Sequence, residues 1–409
     1  MTSGHRLATA LAVVAAALGA SAAPAAAVPP PAISAPAAIL VQPQTGDVVD
    51  ARNADRRRAI ASTTKLMTAL LALERRRLSD RMTAVGYAGA PAESVVGLTA
   101  GERLTTADLL RALLLASAND AAATIAVNVG GTTRRFVRLM NDRARRAGLT
   151  RTHYANPIGL DDPRNVSTAR DLAKLALLVR RSAFASRVMD RPSAVLRSGS
   201  RVRVIANRNT LVAAVPWVNG VKTGHTSTAG WCLVASARRG GVELVSVVLG
   251  APSEAARNAD TLALLRWGFT RYRRVTVATP ATVVARLTVR DQDRTVAVVP
   301  ARTVRVVVPR GQRPRLRATG LPPDIEGPAA RGTPVGRLVV SLRGRVVDRV
   351  PLVTGAAIAR ASLWQRTAGL RGPLAGVLIL AVAAVGAASL IAGRRRSRDR
   401  GARRRSETA

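Results

Sequence analysis

Three short segments carry side chains that could act together: Ser62-Thr63-Thr64-Lys65, Ser117-Ala118-Asn119 and Lys222-Thr223-Gly224. A hydroxyl three residues before an amine has the spacing of a nucleophile with its own base. On a helix, positions i and i+3 share a face, so Ser62 Oγ and Lys65 Nζ can come within hydrogen-bonding distance. A neutral lysine could then take the serine proton as Oγ attacks a carbonyl, the Ser-Lys form of nucleophilic catalysis. The helix start also favours negative charge developing at Ser62. A second lysine near the pocket would raise the cost of protonating the first and offer a cation to a substrate carboxylate.

Each segment alone has a plainer explanation. A serine before a charged residue at a helix start is ordinary capping. Ser117 and Asn119 are common residue types at a break between helices, and Lys222-Thr223-Gly224 fits a strand running into a turn. Lysine usage weighs against coincidence. The chain has 63 basic side chains, of which only Lys65, Lys174 and Lys222 are lysines. Arginine keeps its proton at usable pH, whereas a desolvated lysine beside another cation can lose it. Two of the three lysines therefore stand where the chemistry demands lysine. Lys174 is the contrast: its helix, starting near Thr168, has the apolar face Leu172, Leu175, Ala176 and Val179, and Lys174 points elsewhere, to water.

The elements that must position these residues form an α+β pattern. Two apolar runs around Gln44-Thr45-Gly46-Asp47 predict a β-hairpin. Helical spacing follows over Ser62 to Arg77, Leu104 to Ala116, Asp120 to Val129 and Arg134 to Ala147, with Gly148 as a C-cap. Strands are expected near Val202 to Ile205, Trp217 to Thr223, Gly230 to Ala237 and Val242 to Leu249, the last two joined through Arg238-Arg239-Gly240-Gly241, and then a helix over Pro252 to Tyr272. A hairpin, then helices, then strands and a helix fit one mixed domain over 38–273 whose sheet collects both ends. Residues 275–355 predict a separate, β-sandwich-like domain that contains no lysine, histidine or cysteine, so no chemistry is assigned to it.

The chain ends carry addresses. Residues 1–27 have a weakly basic start, an apolar run and Ala25-Ala26-Ala27, the pattern of an export signal, followed by a Pro/Ala linker over 28–37. Leu374 to Ala392 is uncharged and apolar and would span about 28 Å as a helix, close to a bilayer core. It predicts a transmembrane helix over 373–393, reached through a connector at 356–372 and followed by a basic cytoplasmic tail at 394–409. The body would then lie outside the cytoplasm, tethered to the membrane. The net charge of +39 comes with only 2% aromatic residues and arginines spread along the whole chain, which argues against a nucleic-acid groove. A lone Cys232 excludes an intrachain disulfide, and three histidines leave no zinc set, so no metal or cofactor is expected.

In this order the three segments resemble the penicillin-binding protein and serine β-lactamase superfamily, whose signature is Ser-x-x-Lys, Ser-x-Asn and Lys-Thr-Gly. "IASTTKLMTALLALE", "LLLASANDAA", "NPIGLDD" with "STARDLAKLA", "NRNTLV" and "GVKTGHTSTAGWCLVASA" are similar to the low-molecular-mass D-alanyl-D-alanine carboxypeptidases, over about Ala38 to Tyr272. The resemblance implies a β-lactamase/transpeptidase-like catalytic domain, an antiparallel sheet with a helical subdomain. It makes Ser62 the acylated nucleophile, Lys65 its base and Ser117 a proton relay to the leaving group. Asn119 would hold the substrate amide, and Lys222, Thr223 and Gly224 would form the carboxylate-binding strand. The backbone N-H groups of Ser62 and His225 would form the oxyanion hole, while the rings of His225 and His153 are structural. The implied substrate is a peptidoglycan stem peptide ending in D-Ala-D-Ala, with β-lactams as slowly released inhibitors. Rival readings on the same fold are a class A β-lactamase, which has Ser-Asp-Asn in place of Ser117-Ala118-Asn119, and a DD-endopeptidase or transpeptidase. A non-catalytic wall-binding protein is the alternative of another kind.

Overall fold

A computed structural model describes residues 29–362 and 365–366. The expected export signal, the spanning helix at 373–393 and the basic tail at 394–409 lie outside the described residues. Among the described residues no helix is long and apolar enough to cross a membrane.

The alternation of apolar side chains in the strands is satisfied by one five-stranded antiparallel sheet with both faces covered. Its order is Asp47–Arg52, Ala37–Gln42, Val242–Ala251, Gly230–Arg239 and Val218–Thr226. The N-terminal hairpin thus joins the late strands, with Ile39 opposite Val247, as the sequence pattern predicts. One face, with Ile39, Val245, Val247 and Leu249, packs against the helical body around Leu66, Leu71, Leu113 and Leu172. The other, with Leu40, Leu233 and Leu244, is covered by Leu265 of the helix Glu254–Arg271. The strand Val218–Thr226 is the sheet edge nearest the three motifs.

Several helices differ from the expected bounds in ways that matter for the site. Helical hydrogen bonding of the α type begins at Lys65, and Ser62 sits in a preceding 3-10 turn, Ala61–Thr64. In a 3-10 turn residues i and i+3 eclipse, so the turn brings Ser62 and Lys65 onto one side even more directly than an α-helix would. The expected helix Leu104 to Ala116 is divided. A short strand, Arg103–Thr105, leads into Thr106–Arg111, where the Thr105 hydroxyl caps the Asp108 N-H, and then the coil widens into a π-helical turn, Ala112–Ala116. That turn ends at Ser117 with φ +61°, a left-handed conformation that breaks the helix before Asn119–Gly130 resumes. A strand unforeseen in the sequence, Ser193–Leu196, pairs with Arg203–Ala206.

The second domain has its own core around Val298, Val308, Leu338, Val340, Val350 and Leu352. It combines a six-stranded sheet with a two-stranded one. The strand Tyr272–Ala278 follows the helix Glu254–Arg271 directly and begins within the last residues of the expected 38–273 unit. Tyr272 bridges the two units: it pairs with Pro309 of the second domain, while its ring packs on the first domain's sheet and its hydroxyl donates to Asp47 of that sheet at 2.8 Å.

A buried ion pair clamps the segment that precedes Arg103 onto this frame. Arg203 donates to both Glu102 oxygens at 2.8 Å, and also to the carbonyls of Val96 at 3.0 Å and Gly97 at 2.9 Å. Burial alone would raise the Glu102 carboxyl, but hydrogen bonds from Arg203, Ser200 and Thr99 outweigh it and hold it at about 2. Because this folded value is depressed, its stabilisation is complete above 4.5 and is lost as the pH falls toward about 2. Glu102→Gln is expected to cost about 3 kcal/mol at pH 7, since it leaves a buried guanidinium unpaired. Urea unfolding at pH 7 and pH 3 checks this: the gap between parent and variant should narrow at the lower pH.

Candidate active site

Ser62 and Lys65 meet as their spacing predicts: Lys65 Nζ lies 2.9 Å from Ser62 Oγ. The amine is fully buried, and it also donates to the Ile158 carbonyl at 2.7 Å. Lys222 Nζ, buried as well, donates to Ser117 Oγ at 2.9 Å and to the Thr223 carbonyl at 2.9 Å. The two lysines of the motifs are thus each bound to the serine of a motif, and among the described residues neither has a carboxylate partner. Lys174 is exposed and donates to the Gly148 carbonyl, as a surface lysine on that helix should.

Burial, then the charge of Lys222, pushes the Lys65 amine well below its ordinary value; Arg208 adds to this, while Glu93 and Asp120 oppose it. Lys222 is itself lowered to about 7, by burial and by the cations Arg208 and Arg257. Two ammonium groups cannot both be held cheaply in one desolvated pocket, and burial together with the charge of Lys222 favours the neutral amine at Lys65.

Backbone packing enforces this approach. The Asn156-Pro157-Ile158-Gly159-Leu160 loop lies beneath the Ser62 turn. The Asn156 carboxamide oxygen accepts from the N-H groups of Ile158, Gly159 and Leu160 at 2.6–3.2 Å, which aims the Ile158 carbonyl at Lys65. Thr68 donates to the Pro157 carbonyl at 2.6 Å and Thr226 to Asp161 at 2.6 Å, tying the loop to the helix on one side and to the edge strand on the other. Gly159 has φ +96°, and a Cβ there would stand 2.1 Å from the Ala61 carbonyl oxygen. Gly224 is similarly constrained: a Cβ would lie 3.0 Å from both the Ile60 oxygen and the Ser62 nitrogen. Lys222-Thr223-Gly224-His225 therefore runs flush against the turn that carries Ser62.

Thr223 is buried in the edge strand, opposite Leu233. The His225 ring is stacked on Trp231 at 4.0 Å, and His153 Nδ1 contacts the Arg164 carbonyl at 2.8 Å, so both imidazoles have structural surroundings. Asn119 follows Ser117 by two residues and donates to Glu93 at 2.6 Å. Among the described residues no cluster of metal-binding side chains occurs. Cys232 is free and buried, its thiol raised to about 11 mainly by desolvation. Motif spacing does not reveal Glu93, the Ile158 carbonyl, Gly159 or Arg208. For the loop the only sequence signal is the quoted "NPIGLDD"; for Glu93 there is none.

A family model described as D-alanyl-D-alanine carboxypeptidase matches residues 24–253, and one described as the penicillin-binding protein 5 C-terminal domain matches residues 272–360. The chain belongs to the D-alanyl-D-alanine carboxypeptidase family. It is 33% identical over 337 residues to D-alanyl-D-alanine carboxypeptidase DacC of Escherichia coli, covering 78% of this chain and 83% of that one. It is 34% identical over 265 residues to a D-alanyl-D-alanine endopeptidase of Pseudomonas aeruginosa, covering 63% and 84%. The crystal structure of penicillin-binding protein 5 from Haemophilus influenzae superposes with a TM-score of 0.59 at 28% identity, covering 81% of this chain and all of that one. The first domain is a penicillin-binding-protein/β-lactamase-like catalytic domain and the second is all-β, and the protein is a serine-type D-Ala-D-Ala carboxypeptidase.

Two substitutions test the geometry. Lys65→Arg retains charge and reach but cannot supply a neutral amine, and penicillin acylation should fall by about 10²–10⁴-fold. Gly159→Ala should destabilise the fold by about 1–3 kcal/mol and slow acylation, because the new methyl must push the Ala61 carbonyl and with it Ser62. Thermal melting and adduct formation followed by mass spectrometry measure both.

Proposed function

We propose that this carboxypeptidase trims peptidoglycan stem peptides through an acyl-enzyme on Ser62, on the outer side of the membrane to which residues 373–393 anchor it. The observation that carries the reading is the desolvated Lys65 amine 2.9 Å from Ser62 Oγ, with Lys222 behind it. With Lys65 neutral, the Ser62 hydroxyl donates into the amine lone pair. Oγ then attacks the carbonyl of the penultimate D-Ala, and Lys65 takes the proton. The backbone N-H groups of Ser62 and His225 receive the oxyanion, where a single donor is worth about a hundredfold or more in rate.

Asn119 holds the substrate amide, and Lys222 and Thr223, on the strand that Gly224 lets approach, hold the terminal carboxylate. Collapse breaks the last peptide bond; the proton held by Lys65 passes by way of the Ser117 hydroxyl, in contact with Lys222, to the leaving D-Ala nitrogen, which leaves Lys65 neutral again. Water, deprotonated by Lys65, then attacks the ester, releasing the shortened peptide and restoring Ser62. A β-lactam follows the same first step, but its leaving group stays attached through the opened ring and obstructs the water. The endopeptidase relative, also similar over most of its length, keeps cleavage of cross-linked dimers as the second reading.

The test incubates the protein with a peptide ending in D-Ala-D-Ala and assays free D-alanine, with intact mass after penicillin as a parallel measure. D-alanine release and a penicillin adduct on Ser62 are expected in the parent, with neither in Ser62→Ala; release that persists in that variant contradicts the assignment. A cross-linked dimer cleaved faster than the linear peptide would favour the endopeptidase reading. The two lysines also set a pH profile. Acylation should rise with pH as Lys65 loses its proton, and KM for the peptide should increase above about pH 7, where Lys222 without a bound carboxylate loses its charge.

A further inference from the structure

The chain is short of acids, 24 against 63 basic residues, yet a carboxylate stands at the third motif residue of the cleft. Asn119 Nδ2 donates to Glu93 Oε2 at 2.6 Å. The same carboxylate accepts from the Tyr87 hydroxyl and, through Oε1, from the Ala90 N-H at 3.1 Å. The bond from Tyr87, then that from Asn119, holds the Glu93 carboxyl below its ordinary value against the effect of burial. Tyr87 is pushed up to about 12 by burial and by Glu93, so the phenol stays protonated and the carboxylate ionised.

An ionised carboxylate only accepts hydrogen bonds. Asn119 must therefore meet it with nitrogen, because the opposite flip would set the amide oxygen against a negative oxygen. We propose that Glu93 is a positioning residue that holds the Asn119 carboxamide in one of its two flips, presenting the second Nδ2 hydrogen and Oδ1 in fixed places to the cleft. This rests on the reading that Asn119 holds the substrate amide.

The backbone around Glu93 is suited to the task. Asn119 N-H donates to the Ser94 carbonyl at 2.7 Å, and the Asp120 carboxylate accepts from the N-H groups of Val96 at 3.1 Å and Leu98 at 3.0 Å. Arg203 grips the carbonyls of Val96 and Gly97 from the other side. The Glu93 segment is thus fastened to the first turn of the helix whose first residue it orients. It also carries charge toward the base: the groups that act on Lys65 are Lys222, Glu93, Arg208 and Asp120, the two acids favouring the ammonium form and the other cations opposing it.

The experiment compares parent, Glu93→Gln and Glu93→Ala in D-alanine release and in the rate of penicillin adduct formation on Ser62, each from pH 5 to pH 9, with thermal melting as a check on folding. Glu93→Ala removes the acceptor, and kcat/KM for the peptide should fall about tenfold or more, largely through KM. Glu93→Gln keeps an acceptor for Asn119 and should retain most of the rate, but without the negative charge the acid limb of acylation should move to lower pH. Variants that match the parent in KM and in acid limb overturn the inference. So do two variants that lose activity equally with the acid limb unmoved, the mark of a merely structural role. A parent that forms no adduct overturns the functional reading itself, a result distinct from a normal parent with indifferent variants.

Discussion

The arrangement depends on two lysine amines enclosed in one desolvated pocket. Each would keep its proton in water; together, without a carboxylate partner for either, they cannot both stay charged at a tolerable cost. The conflict bears on Lys65, which burial and the nearby cations drive well below its ordinary value. In the proposed mechanism that neutral amine is the base beside Ser62, and Lys222 offers its positive charge to the carboxylate of a peptide C-terminus.

Maintaining that pocket explains several otherwise arbitrary residues. Gly159 and Gly224 sit where a methyl group would strike the backbone at Ala61 or Ser62, so glycine is what lets the loop and the edge strand close on the 3-10 turn. Asn156 spends its side-chain oxygen on three consecutive N-H groups so that the Ile158 carbonyl faces Lys65. The π-helical turn Ala112–Ala116 delivers Ser117 in a left-handed conformation, a local cost accepted where the side chain must reach Lys222. Farther out, the Glu102–Arg203 pair secures the segment carrying Glu93, and Tyr272 fastens the β domain to the first sheet.

Much of this was legible in the chain before any coordinates. The contrast between three lysines and a background of arginine singled out Lys65 and Lys222, and helical spacing placed Lys65 next to Ser62. Period-two alternation identified the sheet and the return of the N-terminal hairpin to it. What stayed hidden depends on tertiary approach. No spacing rule distinguishes Glu93 from a surface acid, because its role arises only when its loop folds over Asn119. Gly159 and Gly224 read as turn residues until the Ser62 backbone is seen against them. The break of Leu104 to Ala116 is hidden for a similar reason: its apolar periodicity is that of a continuous helix, and nothing local marks the turn to a left-handed Ser117 that meets Lys222.

The most direct measurement is the titration of the lysine side chains themselves. With only three lysines in the chain, incorporation of [6-13C]lysine yields a spectrum simple enough to follow each Cε shift against pH, and Lys65→Arg and Lys222→Arg identify two of the three signals. The expected result is that Lys222 titrates near 7 and Lys65 well below the ordinary lysine value of about 10.4. A Lys65 signal that titrates at that ordinary value, in folded protein, would contradict the claim that a neutral amine stands beside Ser62.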